Sequence, residues 1–106
     1  MKIAILVTGR QEEIIETLLR IIHKNMHWSA KAAFTDETAI KLFDTSPFHI
    51  VLLSSGIEEK SERNIIAYFK RVNPAVIIIQ HYGGGSGLLS NEILEALQEK
   101  NLHAIN

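Results

Sequence analysis

Phe48-His49-Ile50-Val51-Leu52-Leu53-Ser54-Ser55-Gly56 decides how this chain is read. It is a short apolar run that stops on two hydroxyls and a glycine. A run of this length bounded by turn residues suits a strand buried on both faces of a parallel sheet, here Phe48 to Leu53. In such sheets ligands and chemistry lie just beyond the carboxyl ends of the strands, so Ser54 and Ser55 stand where function is expected.

Downstream, Gly56 to Lys60 reads as a polar loop, and Ser61 as the N-cap of a helix with Ile65, Ile66, Phe69 and Val72 on one stripe. Asn73-Pro74 ends that helix, because proline disfavours a helical residue before it. Ala75 to Ile79 is a strand rich in β-branched residues. Gln80-His81-Tyr82 leads into Gly83-Gly84-Gly85-Ser86-Gly87. A last helix is expected from Leu88 or Ser90 to Lys100 with Leu89, Ile93, Leu94 and Leu97 inward, then a short fifth strand over Leu102 to Ile105.

Upstream, Ser46-Pro47 closes a helix that Thr35 or Asp36 caps and that runs to about Asp44, with Ala39, Ile40, Leu42 and Phe43 as its apolar contacts. Trp28 to Phe34 alternates loosely and reads as an edge strand. Glu12 to Asn25 is a helix with Ile15, Leu18, Leu19, Ile22 and Met26 on one stripe; Glu12 and Glu13 open it, and His23 and Lys24 close it, as the helix dipole prefers. Ile3 to Val7 is the first buried strand, and Thr8-Gly9-Arg10-Gln11 the turn out of it.

The chain has 106 residues, enough for one small domain with its own core. It is 46% hydrophobic and 22% charged, a globular rather than a disordered mixture. The net charge of -1 gives no electrostatic footprint for nucleic acid. The absence of cysteine excludes disulfides, thiolate metal sites and thiol catalysis. The start Met1-Lys2-Ile3-Ala4-Ile5-Leu6-Val7 is too short for a signal segment, and no run reaches membrane-spanning length, so a cytoplasmic protein is expected.

Strands alternating with helices through short connections imply parallel pairing and right-handed crossovers. The expectation is one three-layer α/β domain over residues 1–106: a flavodoxin-like, doubly wound parallel sheet of five strands in order 2-1-3-4-5, without a final helix. Half of a Rossmann fold with another strand order is the alternative.

Asp36-Glu37-Thr38-Ala39-Ile40-Lys41-Leu42-Phe43 followed by Pro47 to Leu53 resembles the second helix and phosphorylation strand of a bacterial response-regulator receiver domain. Val76-Ile77-Ile78-Ile79-Gln80-His81-Tyr82-Gly83 resembles its fourth strand and the turn after it. The resemblance covers nearly the whole chain as a pattern, and no single motif in it is specific. It implies a signalling domain. It also implies a phospho-accepting aspartate where Ser54 stands, an acidic magnesium-binding pair where Thr8-Gly9 stand, and a hydroxyl residue where Gln80 stands. The lysine that the family carries after its fifth strand has no counterpart. An acyl-phosphate needs a carboxylate nucleophile and hard oxygen ligands for Mg²⁺, and no Asp or Glu lies at the expected strand tips. No phosphotransfer, enzymatic activity, metal or cofactor is therefore expected.

Three strand ends converge in this fold: Thr8-Gly9-Arg10, Ser54-Ser55-Gly56, and Gln80-His81 with Gly83, Gly84, Gly85 and Ser86. Backbone N–H groups, hydroxyls and one arginine suit a small anion or a nucleotide phosphate. Tight turns and caps account for the same residues without any ligand. The glycine run lacks the Gly-Lys-Ser/Thr of a phosphate loop, and Thr8-Gly9 lacks the further hydroxyls of a flavin phosphate loop. His81 with Ser54 or Ser55 could form a nucleophile–base pair, but no third, orienting carboxylate is evident and the first glycine of a nucleophile elbow is missing. His23, His27, His49 and His103 show no metal-ligand spacing; His23 reads as a dipole partner and His49 as lying at the lower edge of the sheet. Trp28 and Tyr68 read as packing residues, with partner anchoring as the other use of large aromatics. A missing final helix would leave the fourth- and fifth-strand side of the sheet less covered. Contact with a protein partner, or a homodimer formed through that side, follows as the leading expectation.

Overall fold

A computed structural model describes residues 2–81 and 86–99. The elements are β1 (Ile3–Thr8), α1 (Glu12–Ile22), β2 (Trp28–Ala33), α2 (Asp36–Thr45), β3 (Ile50–Leu53), α3 (Glu59–Val72), β4 (Ile77–Gln80) and α4 (Ser86–Glu99). All strand pairs are parallel, in the order β2-β1-β3-β4. The sheet therefore has four strands among the described residues. The expected fifth, Leu102 to Ile105, lies outside them. No described helix is long and apolar enough to cross a membrane.

Strand alternation sorts the core into two layers, since successive side chains point to opposite faces. Ile3, Ile5, Val7, Leu52, Ile77 and Ile79 meet Ile15, Leu18 and Ile22 of α1 and Leu89, Ile93 and Leu97 of α4. Leu6, Val51 and Leu53 meet Ala39 and Phe43 of α2 and Ile65 and Phe69 of α3. Two helices thus cover each face. On the fourth-strand side α4 lies on the α1 face, where its Leu89–Ile93–Leu97 stripe is buried; the fifth-strand side, where reduced cover is expected from sequence, lies outside the described residues. Trp28 is buried in the same layer as a packing residue.

Helix ends follow their caps. Thr35, not Asp36, caps α2: its hydroxyl accepts from Thr38 N–H at 3.1 Å. α1 stops at Ile22 rather than Asn25, because the Asn25 side chain accepts from His27 N–H at 2.8 Å and turns the chain. Met26, read as part of that stripe, is consequently exposed. α3 starts at Glu59, ahead of the expected cap Ser61; Glu59 and Glu62 in its first turn complement the helix dipole. α4 starts at Ser86, inside the glycine run, since its buried stripe outweighs the cost of about 1 kcal/mol for a helical Gly87. Val72 ends α3 and Leu94 lies on the flank of α4; both are expected inward from sequence and are about half exposed.

β3 begins at Ile50, two residues later than expected, and β4 at Ile77. His49 joins them from below: its N–H bonds Ala4 O, its carbonyl accepts from Ile77 N–H, and its Nδ1 accepts from Ala4 N–H at 3.0 Å. His49 is thus at the lower edge. His23 caps α1 and its Nε2 accepts from Ala30 N–H at 3.2 Å, on the outer side of edge strand β2.

Candidate functional site

The strand register builds the rim. β1 pairs with β3 as far as Thr8 opposite Leu53, and β3 with β4 as far as Leu53 opposite Gln80. One residue further, Gly9, Ser54 and His81 form the next row: Ser54 N–H bonds Thr8 O and His81 N–H bonds Leu53 O, both at 2.8 Å. Alternation then decides the faces. Ser54 and His81 follow Leu52 and Ile79 onto the α1/α4 face, whereas Thr8 and Gln80 follow Leu6 and Ile78 onto the α2/α3 face.

This row is tightly closed. A Cβ on Gly9 would stand 2.9 Å from Ser54 Cβ, 3.3 Å from Ile15 Cδ1 and 3.3 Å from Ser55 O. Ser54 is 1% exposed, Thr8 fully buried and His81 4% exposed. Thr8 Oγ1, Ser54 Oγ and His81 Nε2 have no hydrogen-bond partner among the described residues. Leaving such an atom unpaired costs about 1–3 kcal/mol, so three at one rim are a local concentration of unspent polar capacity.

The other rim residues have partners. Arg10 is held from two sides: Nη2 pairs with Asp36 Oδ1 at 2.5 Å, Nη1 donates to Phe34 O at 3.2 Å, and Nε pairs with Glu58 Oε1 at 3.5 Å. Ser55 Oγ donates to Gln11 Oε1 at 3.3 Å. Gln80 Nε2 donates to Glu62 Oε1 at 3.0 Å. Gly56 has φ +94°, a conformation natural to glycine, and packs against Arg10. Ser86 is the first residue of α4, while Gly83, Gly84 and Gly85 lie outside the described residues.

Carboxylates are thus closer to the rim than strand tips alone suggest. Asp36, Glu58, Glu62 and Glu92 reach it from helix starts and from the second turn of α4. The signal for the first three was their place just after strand-end loops. Glu92 could not be read from sequence, because its approach depends on α4 docking over β4. Its Oε1 lies 2.5 Å from His81 Nδ1. A carboxylate only accepts, so Nδ1 carries the proton and Nε2 is left as an acceptor in the neutral ring. Among the described residues no three His, Asp or Glu side chains converge in a way that could hold a metal ion.

Solved structures of similar shape include receiver domains. The signal receiver domain of an HD domain-containing protein from Pseudomonas fluorescens Pf-5 superposes with TM-score 0.84 at 14% identity, over 95% of this chain and 98% of that one. A CheY-like response regulator receiver domain protein from Methanospirillum hungatei JF-1 gives 0.80 at 12% identity, over 95% and 98%. An adenylate cyclase from Rhodopirellula baltica gives 0.64 at 16% identity, over 96% of this chain and 73% of that one. No family model and no curated protein matches the sequence. At these identities the likeness establishes a receiver (CheY-like) fold with a four-stranded sheet.

Proposed function

We propose that residues 1–106 form a pseudo-receiver, a receiver-like cytoplasmic domain that performs no phosphotransfer and acts through protein–protein contact in signalling or regulation. One observation carries the reading. At the two strand ends where the receiver resemblance implies carboxylates, β3 leads into buried Ser54 and β1 into Gly9, whose missing side chain leaves no space beside Ser54 Cβ. A carboxylate nucleophile and its hard-oxygen metal ligands have no seat there. The partner is another protein or a second copy of this chain.

Intact mass after incubation with acetyl phosphate and Mg²⁺ tests the first clause: unmodified protein is expected, and a stoichiometric phosphoryl adduct overturns it. Sedimentation over a wide concentration range tests self-association, and a strict monomer at high concentration removes the second copy as partner.

A small-anion site keeps one favourable observation, an unpartnered buried hydroxyl at the β3 end, that of Ser54; the Thr8 hydroxyl lies on the opposite face of the sheet. Against it, the rim's arginine is already paired with two carboxylates.

A further inference from the structure

β2 and β4 are the two edges of the described sheet, and their outward backbone is treated differently. In a parallel ladder one residue's N–H and C=O point to the same side, and alternate residues point to opposite sides. On β2, Ala33 O accepts from Gly9 N–H, so Ala30 and Ala32 point outward. His23 Nε2 accepts from Ala30 N–H, Arg10 holds Phe34 O, and Lys31 is exposed. Covering side chains and a lysine are devices that blunt an edge. On β4, Ile77 and His81 donate to His49 O and Leu53 O, so Ile78 and Gln80 point outward. Their backbone groups have no partner among the described residues, and the half-buried Ile78 and exposed Gln80 carry no charge. The start of the strand is closed, because Lys70 Nζ donates to Val76 O at 3.1 Å.

We propose that a second copy of this chain pairs with this edge, β4 against β4, antiparallel about a two-fold axis at Ile79. The proposal rests on the reading that this domain works through protein contact, and it names the surface. Ile78 then lies opposite Gln80 of the partner subunit, and Gln80 opposite the partner subunit's Ile78. The outward N–H and C=O groups of both residues are satisfied in each copy, and the two sheets join. Lys70 sets the register. An axis moved to Ile78 would bring Val76 O against Gln80 of the partner subunit, and Lys70 already occupies that carbonyl. The charges fit the same arrangement. α3 runs antiparallel to β4. Glu59 and Glu62 are at its start, where Glu62 Oε1 accepts from Gln80 Nε2, and Lys70 and Arg71 are at its end, beside Val76. An axis normal to the sheet puts both α3 helices on one face in opposite directions, so the acidic start of each lies toward the basic end of the other. The chain after α4 fits the edge less well. α3 delivers β4 across the α2/α3 face, whereas α4 lies on the α1 face and would not repeat that step.

The test is amide hydrogen exchange of the full chain at low and high protein concentration, run beside sedimentation. The Ile78 and Gln80 amides are expected to gain protection of about 10-fold or more as the dimer forms, while the outward Ala32 amide of β2 does not change. Gln80→Pro removes an N–H that β3 does not use, and is expected to weaken the dimer by about 10-fold or more. Gln80→Ala keeps that N–H and is expected to dimerise like the parent. If Gln80→Pro does not fold by circular dichroism, exchange in the parent still decides. A dimer whose Ile78 and Gln80 amides stay unprotected overturns the proposal. Protection that is the same at every concentration also overturns it, because the edge is then covered within one chain. A strict monomer overturns it too, and leaves the pseudo-receiver reading with a different protein as partner. A phosphoryl adduct in the acetyl phosphate experiment would instead overturn the absence of phosphotransfer alone, since edge pairing is read from amide protection.

Discussion

Gly9→Ala is the substitution whose cost can be worked most directly from the rim. The new Cβ would stand 2.9 Å from Ser54 Cβ, about half an ångström inside ordinary contact, and 3.3 Å from both Ile15 Cδ1 and Ser55 O. Ile15 Cδ1 is a side-chain end that can swing clear, but the closest atom is a Cβ fixed to β3's outgoing backbone and the third is a backbone carbonyl, so the clash with them stays. Relief requires β1 and β3 to separate at their tips, where Ser54 N–H bonds Thr8 O at 2.8 Å. Overpacking of this kind costs about 1–3 kcal/mol. Gly9 does not have the positive φ that would strain an alanine, so the stiffer unfolded chain returns about 0.4–1 kcal/mol. The net expectation is a loss of about 1–2 kcal/mol, with the melting temperature lowered by roughly 4–8 °C per kcal/mol. Urea unfolding of Gly9→Ala, Ser54→Gly and the double variant measures it. Removing the Ser54 Cβ makes room for the Gly9→Ala methyl, so the double variant should be more stable than the sum of the single effects by about 1 kcal/mol. A Gly9→Ala protein as stable as the parent, or strict additivity in the cycle, would refute the steric argument.

Three further outcomes are expected. Phe69→Ala, which removes a fully buried ring 4.5 Å from that of Phe43, should lose about 3–5 kcal/mol in the same urea assay. The Tyr68 hydroxyl donates to both oxygens of Asp44, and that hydrogen bond raises its phenol above the ordinary 10.0; the folded state holds this proton more tightly than the unfolded chain, so the stabilisation is whole below pH 10.0 and fades as pH rises through the folded value. Ultraviolet titration should show one of the two tyrosines ionising late in the parent and earlier in Asp44→Asn. A thermal-shift panel of phosphates and nucleotides should leave the melting temperature unchanged, whereas a rise that disappears in Ser54→Ala would favour the small-anion reading.

Strands and helices were legible because burial writes itself into residue order. Ile50 to Leu53 and Ala75 to Ile79 are short apolar runs, β-branched and bounded by turn residues, that suit a doubly covered strand, and the structure places β3 at Ile50–Leu53 and β4 at Ile77–Gln80; Thr35 caps α2 as a hydroxyl before an acidic turn should. The side of the sheet taken by α4 was not legible. The Leu89–Ile93–Leu97 stripe says that one helix face is buried, but an apolar stripe fits either face of a sheet lined with Ile, Leu and Val on both sides. Everything that depends on that docking was hidden with it, above all the meeting of Glu92 with His81. Ser54 was found from its place after the central strand. Its crowding against Gly9 was not, because contact between two strand tips depends on register at atomic scale.

The side taken by α4 also governs how the sheet can grow. The chain steps from β3 to β4 across the α2/α3 face, through α3. Another parallel strand laid outside β4 and reached through α4 would continue in the same direction but cross on the opposite face, and so would have the opposite hand. Left-handed crossovers of that kind are nearly absent from proteins. Among the described strands, the run of same-handed steps away from β1 reaches as far as β4. Any strand lengthening the sheet on that side would have to arrive by a route other than a right-handed continuation of α4.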